Sequence, residues 1–347
     1  MRILVTGGAG YIGSHTTLSL LEAGHEVVVV DNLANSSSES LVRVGHLTGK
    51  NVDLRIVDLL DSAAVDELLG AGAFDAVMHF AGLKAVGESV QKPLMYYHNN
   101  VVGTINLLRS MDKHDVRTLV FSSSATVYGD NDRVPLTEGC ELNASNPYGR
   151  TKEHIEDILT DLGSADSRWS IALLRYFNPA GAHESGLIGE DPLGTPNNLL
   201  PFVAQVAAGR HEYVKVFGND YPTTDGTGVR DYVHVVDLAL GHLAALSYLE
   251  GVQGTFSWNL GTGSGSSVLE VLDAFSAAVG KEVPYEFSPR RSGDSAVSYA
   301  DPSQAMADLG WSAKRSLARM CEDHWRWQRS NPMGYSSDPA SQHRGPQ

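Results

Sequence analysis

Short runs of aliphatic and β-branched residues recur along the first half of the chain, each followed by a longer stretch with helical spacing. Residues 3–6 and 27–31 read as strands, the second an almost unbroken run of valine. Residues 54–57, 76–80, 118–122 and 171–176 repeat the pattern, and 12–23 reads as the first intervening helix. Strands that are apolar at every position bury both faces. That predicts a parallel, doubly wound α/β sheet of Rossmann type with helices on both sides. A long helix is predicted from Pro147, capped by Asn146, because proline at the first helical position sacrifices an N–H that has no partner anyway.

From about residue 178 the texture changes to loops rich in Gly, Pro and Asn, such as GTPNNLLP and GNDYPTTDGTG. We therefore expect a first domain over 1–177 and a smaller, loop-rich α/β lobe over 178–330, with the helical stretch 233–250 able to pack back on the first. Residues 331–347, rich in Ser, Pro and Gly, are expected to be a flexible tail. The length of 347 residues accommodates two lobes. No apolar stretch approaches the ~18 residues needed to span a bilayer, and the apolar run in MRILVTGG is too short for a signal peptide. Together these point to the cytoplasm. Cys140 and Cys321 make no metal or redox spacing and suit a reducing compartment, and the scattered histidines suggest no metal. A net charge of −15 argues against nucleic acid and anionic membrane. A phosphate-ester substrate would then need local arginines, and Arg230 and Arg291 are the candidates.

Gly7, Gly10 and Gly13 follow a predicted strand and open a predicted helix, the context in which such glycines cradle a dinucleotide pyrophosphate. Asp31 ends the next strand, 18 residues after Gly13. A carboxylate there accepts from the adenosine ribose hydroxyls and repels a 2′-phosphate, so NAD is expected rather than NADP. Asp58, ending the third strand, can meet the adenine amino group.

Tyr148 and Lys152 are four residues apart and share a helix face. A tyrosine working as a base near neutral pH needs a depression of roughly three pH units, about 4 kcal/mol. One positive charge about 5 Å away supplies roughly 3 kcal/mol at an effective dielectric of about 20, so Lys152 with the charged ring of NAD⁺ would suffice. Ser124, closing the SSS run, can bond the reacting oxygen. The set reads as redox chemistry on an alcohol.

With VTGGAGYIGSH, HFAGLKAVGES, FSSSATVYG, NPYGRTK, RYFNPAGAH, TDGTGVRDYVHV and PRRSGD, the chain resembles the extended short-chain dehydrogenase/reductase family, and within it the UDP-hexose 4-epimerase branch, from Met1 to about Trp327. The resemblance implies a homodimer with resident NAD that interconverts UDP-galactose and UDP-glucose through a 4-keto sugar, the two copies meeting through 93–111 and 150–162. Carried over by position, Tyr11, Ile12, Asp31, Asn32, Asn35, Ser36, Asp58, Leu59, Phe80, Ala81, Gly82, Lys84, Asn99 and Phe177 would line the cofactor site with the glycines and the catalytic trio. Asn178, Asn198, Leu199, Val216, Phe217, Arg230, Tyr232, Arg291 and Asp294 would hold the uridine diphosphate. Related dehydratases and decarboxylases carry an acid just after the serine or threonine; here Ala125 and Thr126 follow. Ser298 stands where many relatives place a bulky ring, which would leave room for an N-acetyl group on the sugar. A net oxidoreductase or another sugar-nucleotide modifier on this scaffold, and a non-catalytic NAD-binding regulator, remain as alternatives.

Overall fold

The computed structural model describes residues 1–131, 133–194, 196–291 and 294–336. Its main sheet uses β1 (Arg2–Thr6), β2 (Glu26–Asp31), β3 (Asp53–Ile56), β4 (Ala76–His79), β5 (Thr118–Ser124) and β6 (Ser170–Tyr176). Four short strands follow, β7 (Asn178–Ala180), β8 (Val214–Phe217), β9 (Val229–Arg230) and β10 (Tyr232–His234), before β11 (Gly254–Leu260) returns as the seventh strand of that sheet. The order is β11-β6-β5-β4-β1-β2-β3, with every pairing parallel. Alternation along the strands sorts their side chains onto two buried faces. Ile3, Val5, Val29, Met78, Val120 and Leu174 meet the helices Tyr11–Glu22 and Val235–Leu249 on one side. Leu4, Val28, Val77, Leu119, Phe121 and Ile171 meet Ser62–Gly72, Gly103–Lys113 and Pro147–Ala165 on the other.

The predicted α/β sheet is present, with its strands shifted by a residue or two. β5 runs on to Ser124 because Ser123 and Ser124 pair with Arg175 and Tyr176, so all three serines lie in the sheet. The boundary at 177/178 does not separate the sheet from the second lobe. The helix Val235–Leu249 places Leu238, Ala245, Leu246 and Leu249 in the first lobe's core, and β11 closes that lobe's edge. The second lobe's own core forms around Val203, Val206, Val214, Val216, Leu272, Phe275 and Cys321. Its other strands are β12 (Ser266–Ser267), β13 (Tyr285–Ser288) and β14 (Val297–Ser298).

Residues 331–336 are a packed segment rather than part of a flexible tail. The Tyr335 N–H donates to Asp191 Oδ2 at 2.7 Å, and its ring lies 4.7 Å from that of Trp327. Residues 337–347 lie outside the described residues. No helix among the described residues is long and apolar enough to cross a membrane.

Candidate active site

The strand order reverses at β1, and a crevice opens there at the carboxyl ends of the strands, the usual ligand position in such sheets. Gly7 leaves β1 with φ +69°, and a Cβ on it would fall 2.6 Å from the backbone nitrogen of Ala81. A Cβ on Gly13 would strike the carbonyl oxygen of Gly7. The following helix, Tyr11–Glu22, has Gly10 as N-cap and no side-chain cap, so its first N–H groups face the crevice unclaimed by a side chain.

Asp31 is 8% exposed. Its Oδ2 accepts from the Ala9 N–H at 3.0 Å, and its Oδ1 accepts from the Leu33 N–H at 2.9 Å and the Ser36 hydroxyl at 2.8 Å. The carboxylate thus ties the glycine turn to the loop after β2 and keeps a lone pair free on Oδ2.

Most of the expected cofactor residues share one cleft: Gly7, Gly10, Tyr11, Ile12, Gly13, Asp31, Asn32, Asn35, Ser36, Leu59, Phe80, Ala81, Gly82, Lys84 and Asn99, with Tyr148 and Lys152. Asp58 sits beside it, exposed, accepting from Asn32 Nδ2 at 3.0 Å. Phe177 does not offer its ring, which is buried with Val127, Tyr128, Leu136 and Ala300. Asn99 comes from a π-helical turn, Tyr97–Val102, a local device that often marks functional sites.

At the end of β5 the Ser124 hydroxyl accepts from the hydroxyl of Thr126 at 2.9 Å. Lys152 is buried; its Nζ donates to the carbonyl of Ser122 at 2.7 Å and lies 4.8 Å from the centre of the Phe121 ring. Burial lowers the Lys152 ammonium to about 8, with Glu156 opposing the shift. The sequence leads one to expect Tyr148 to be depressed by Lys152 together with the charged ring of NAD⁺; the chain's own groups alone raise it from its ordinary value, because burial outweighs the opposing hydrogen bond with Ser124. The chain's own groups therefore keep Tyr148 protonated at neutral pH.

The expected nucleotide residues divide. Val216 and Tyr232 are committed to the second lobe's packing, Tyr232 with Ala180, Leu200, Val271 and Met320. Leu199 packs against both of those clusters and is only partly buried. Others meet in pairs. The Arg291 guanidinium lies 3.8 Å from the Phe217 ring centre, and Arg230 comes within 4.0 Å of Asp294. β14 pairs with β9 so that Ser298 stands opposite Arg230, while Asn178 pairs with Tyr232.

Sequence reasoning missed Glu190, which joins the two groups. It lines the cofactor cleft while its Oε1 accepts from Lys84 at 3.1 Å and Asn198 at 2.8 Å, and its Oε2 is buried without a partner. Gly189, Asp191, Pro192, Ser122, Tyr176 and Tyr335 also line the cleft and were not anticipated. The sequence signal for residues 189–192 was the pair of acids, Glu190 and Asp191, in the short turn IGEDP.

A family model described as GDP-mannose 4,6 dehydratase matches residues 4–324. The UDP-glucose 4-epimerase of Bacillus subtilis (strain 168) is 60% identical over 337 residues, covering 97% of this chain and 99% of its own. Solved structures agree. A Bifidobacterium longum UDP-glucose 4-epimerase in complex with NAD⁺ and UDP superposes with a TM-score of 0.94 at 51% identity, covering 96% of this chain and 100% of its own. One from Stenotrophomonas maltophila, with bound NAD and formylated UDP-arabinopyranose, gives 0.94 at 51%, covering 96% and 99%. With the glycine turn, the acid at the end of β2 and the Ser-Tyr-Lys set all in place, the chain belongs to the UDP-glucose 4-epimerase family of extended short-chain dehydrogenases/reductases.

Proposed function

We propose that the protein interconverts UDP-galactose and UDP-glucose by inverting the sugar's C4, with resident NAD. The observation that carries this is the hydrogen bond between Tyr148 and Ser124, with Tyr148 and the buried Lys152 lining the cleft of the glycine turn, and Ala125 and Thr126 where an elimination would need an acid. The cleft fits a dinucleotide. Its turn excludes a Cβ at Gly7 and Gly13, its helix terminus lacks a side-chain cap, and Asp31 stands at the end of the second strand. When bound, NAD⁺ supplies a reversible acceptor for the C4 hydrogen as hydride, and its pyridinium charge provides the positive field that Tyr148 lacks.

The chain's residues do the rest. Tyr148 accepts the proton of the 4-hydroxyl as the C4–H bond breaks, and Ser124 orients that oxygen. Lys152 holds positive charge beneath the pair. Inversion requires the 4-keto sugar to turn about its diphosphate link before Tyr148 returns the proton. A firm grip on the diphosphate with a loose one on the sugar serves this. Arg230, Arg291, Asn178 and Asn198 provide donors for the former, guanidinium forks matching phosphate oxygens.

Ser298 favours a wider substrate range. Register places its small side chain opposite Arg230, so the acetamido group of a UDP-N-acetylhexosamine finds room where a ring would exclude it. Exposed Val86, Val90, Leu94, Met95 and Val102, on or beside the stretch 93–111, are the apolar surface we assign to a second copy of the chain. Both cysteines are free thiols, which suits a cytoplasmic enzyme. Proton NMR with UDP-galactose and no added cofactor tests the assignment. The UDP-glucose anomeric signal should grow to an equilibrium mixture, whereas a keto, deoxy or decarboxylated product would overturn it.

A further inference from the structure

We propose that residues 331–336 form a strap that closes the dinucleotide cleft, with Tyr335 as a wall of the cofactor site and Arg43 as the clasp. The proposal rests on reading the cleft as the NAD site. Tyr335 lines the same cleft as the glycine turn and the loop that begins at Asp31. Chain ends are ordinarily loose unless something ties them down. Here the ties are specific and converge on the cleft's outer wall.

The Tyr335 hydroxyl donates to the Gly189 carbonyl at 3.2 Å and accepts from the Gly189 N–H at 3.0 Å, while its own N–H reaches Asp191. Gly189 and Asp191 are themselves wall residues. Gly334 turns with φ +70° so closely round Asp191 that any Cβ would strike the carboxylate. The strap is thus seated on the wall by both backbone and side chain.

Arg43 fastens it to the first lobe. It belongs to the helix Glu39–Thr48, which follows the Asp31 loop. Its Nε donates to Glu39 at 2.8 Å, and its Nη1 donates to the Leu187 carbonyl at 3.0 Å and to Asn331 Oδ1 at 2.5 Å. Its guanidinium carbon lies 5.7 Å from the Trp327 ring centre and 5.1 Å from that of Tyr335. One side chain therefore joins the adenosine-side helix, the wall segment and the strap. A dinucleotide leaving between the 31–37 loop and the 189–192 wall has to wait for this assembly to open. A gate of this kind sets a dissociation rate rather than an intrinsic contact energy.

The test compares wild type with chains ending at Ser336 and at Met333, and with the point variants Tyr335→Ala and Arg43→Ala. Bound NAD is quantified after denaturation, and exchange is followed with labelled NAD. The chain ending at Ser336 should exchange at the wild-type rate. The chain ending at Met333 and both point variants should exchange about tenfold faster or more, a tenfold change being ~1.4 kcal/mol. Arg43→Ala leaves the strap's sequence intact and keeps the test decisive if the shortened chain fails to fold. Equal exchange rates in folded variants and wild type would overturn the strap. Wild type that neither carries nor takes up NAD would overturn the cofactor reading beneath it.

Discussion

Removing the arginine of the buried ion pair next to the SSS strand should destabilise the protein strongly. Arg175 and Glu156 are 6% and 2% exposed. The Arg175 Nε donates to both Glu156 oxygens at 3.1 Å and its Nη2 to Oε2 at 2.6 Å, while Nη1 reaches the Tyr128 hydroxyl and the Glu138 carbonyl. Ser123, the neighbour of Ser124, donates to the same carboxylate. In Arg175→Met, Glu156 would keep the Ser123 hydroxyl and the distant charge of Lys152 and lose its ion pair. Breaking one partner of a buried pair costs about 3–5 kcal/mol. The wild-type pair gives up that much when the guanidinium is removed, because the carboxylate stays buried without its counter-charge. The double variant Arg175→Met/Glu156→Gln leaves no unpaired carboxylate at this position and should recover about half the loss or more. Urea unfolding of the three proteins (wild type, single and double variant) measures this. A single variant as stable as wild type, or a double variant no more stable than the single, would refute the reasoning.

Tyr148→Phe should keep the fold and the bound NAD while turnover falls by about 10²–10⁴-fold, as expected for loss of a positioned proton acceptor; full activity would remove Tyr148 from that role. Since burial lowers Lys152 to about 8, its charge is present below that pH and lost above it. Turnover at saturating substrate should fall as pH rises through about 8, and a rate that stays flat to pH 10 would show that the charge is not needed. Ser298→Tyr should abolish turnover of UDP-N-acetylglucosamine while retaining that of UDP-glucose. Parallel loss of both would mean that residue 298 supports the β9–β14 pairing rather than selecting the sugar.

Much of the site was legible in the chain because its chemistry depends on short spacings. The turn at Gly7, Gly10 and Gly13, the acid after a run of valine, and Tyr148 one helical turn before Lys152 are each set by local backbone geometry. The helix from Pro147 begins as expected, with Asn146 Oδ1 accepting from the Gly149 N–H at 2.9 Å. What local pattern could not say is which face of a strand a hydrophobic residue takes, or what it meets there. Phe177, Val216 and Tyr232, expected at the ligand from the family resemblance, have side chains that complete cores.

The sequence by itself determined the doubly wound sheet, the dinucleotide turn, the preference for NAD and the spacing of Ser124, Tyr148 and Lys152, since periodicity and neighbour spacing act over a few residues. Only the tertiary structure decided that β11 belongs to the first lobe, that Glu190 bridges the two groups of expected ligand residues, that burial raises the Tyr148 hydroxyl, and that residues 331–336 pack on the cleft's wall. Each of these depends on groups brought together from distant positions, as Arg43 meets Asn331 across 288 residues. Desolvation and long-range contacts exist only once the chain has closed on itself, and so they leave no periodic trace in the order of its residues.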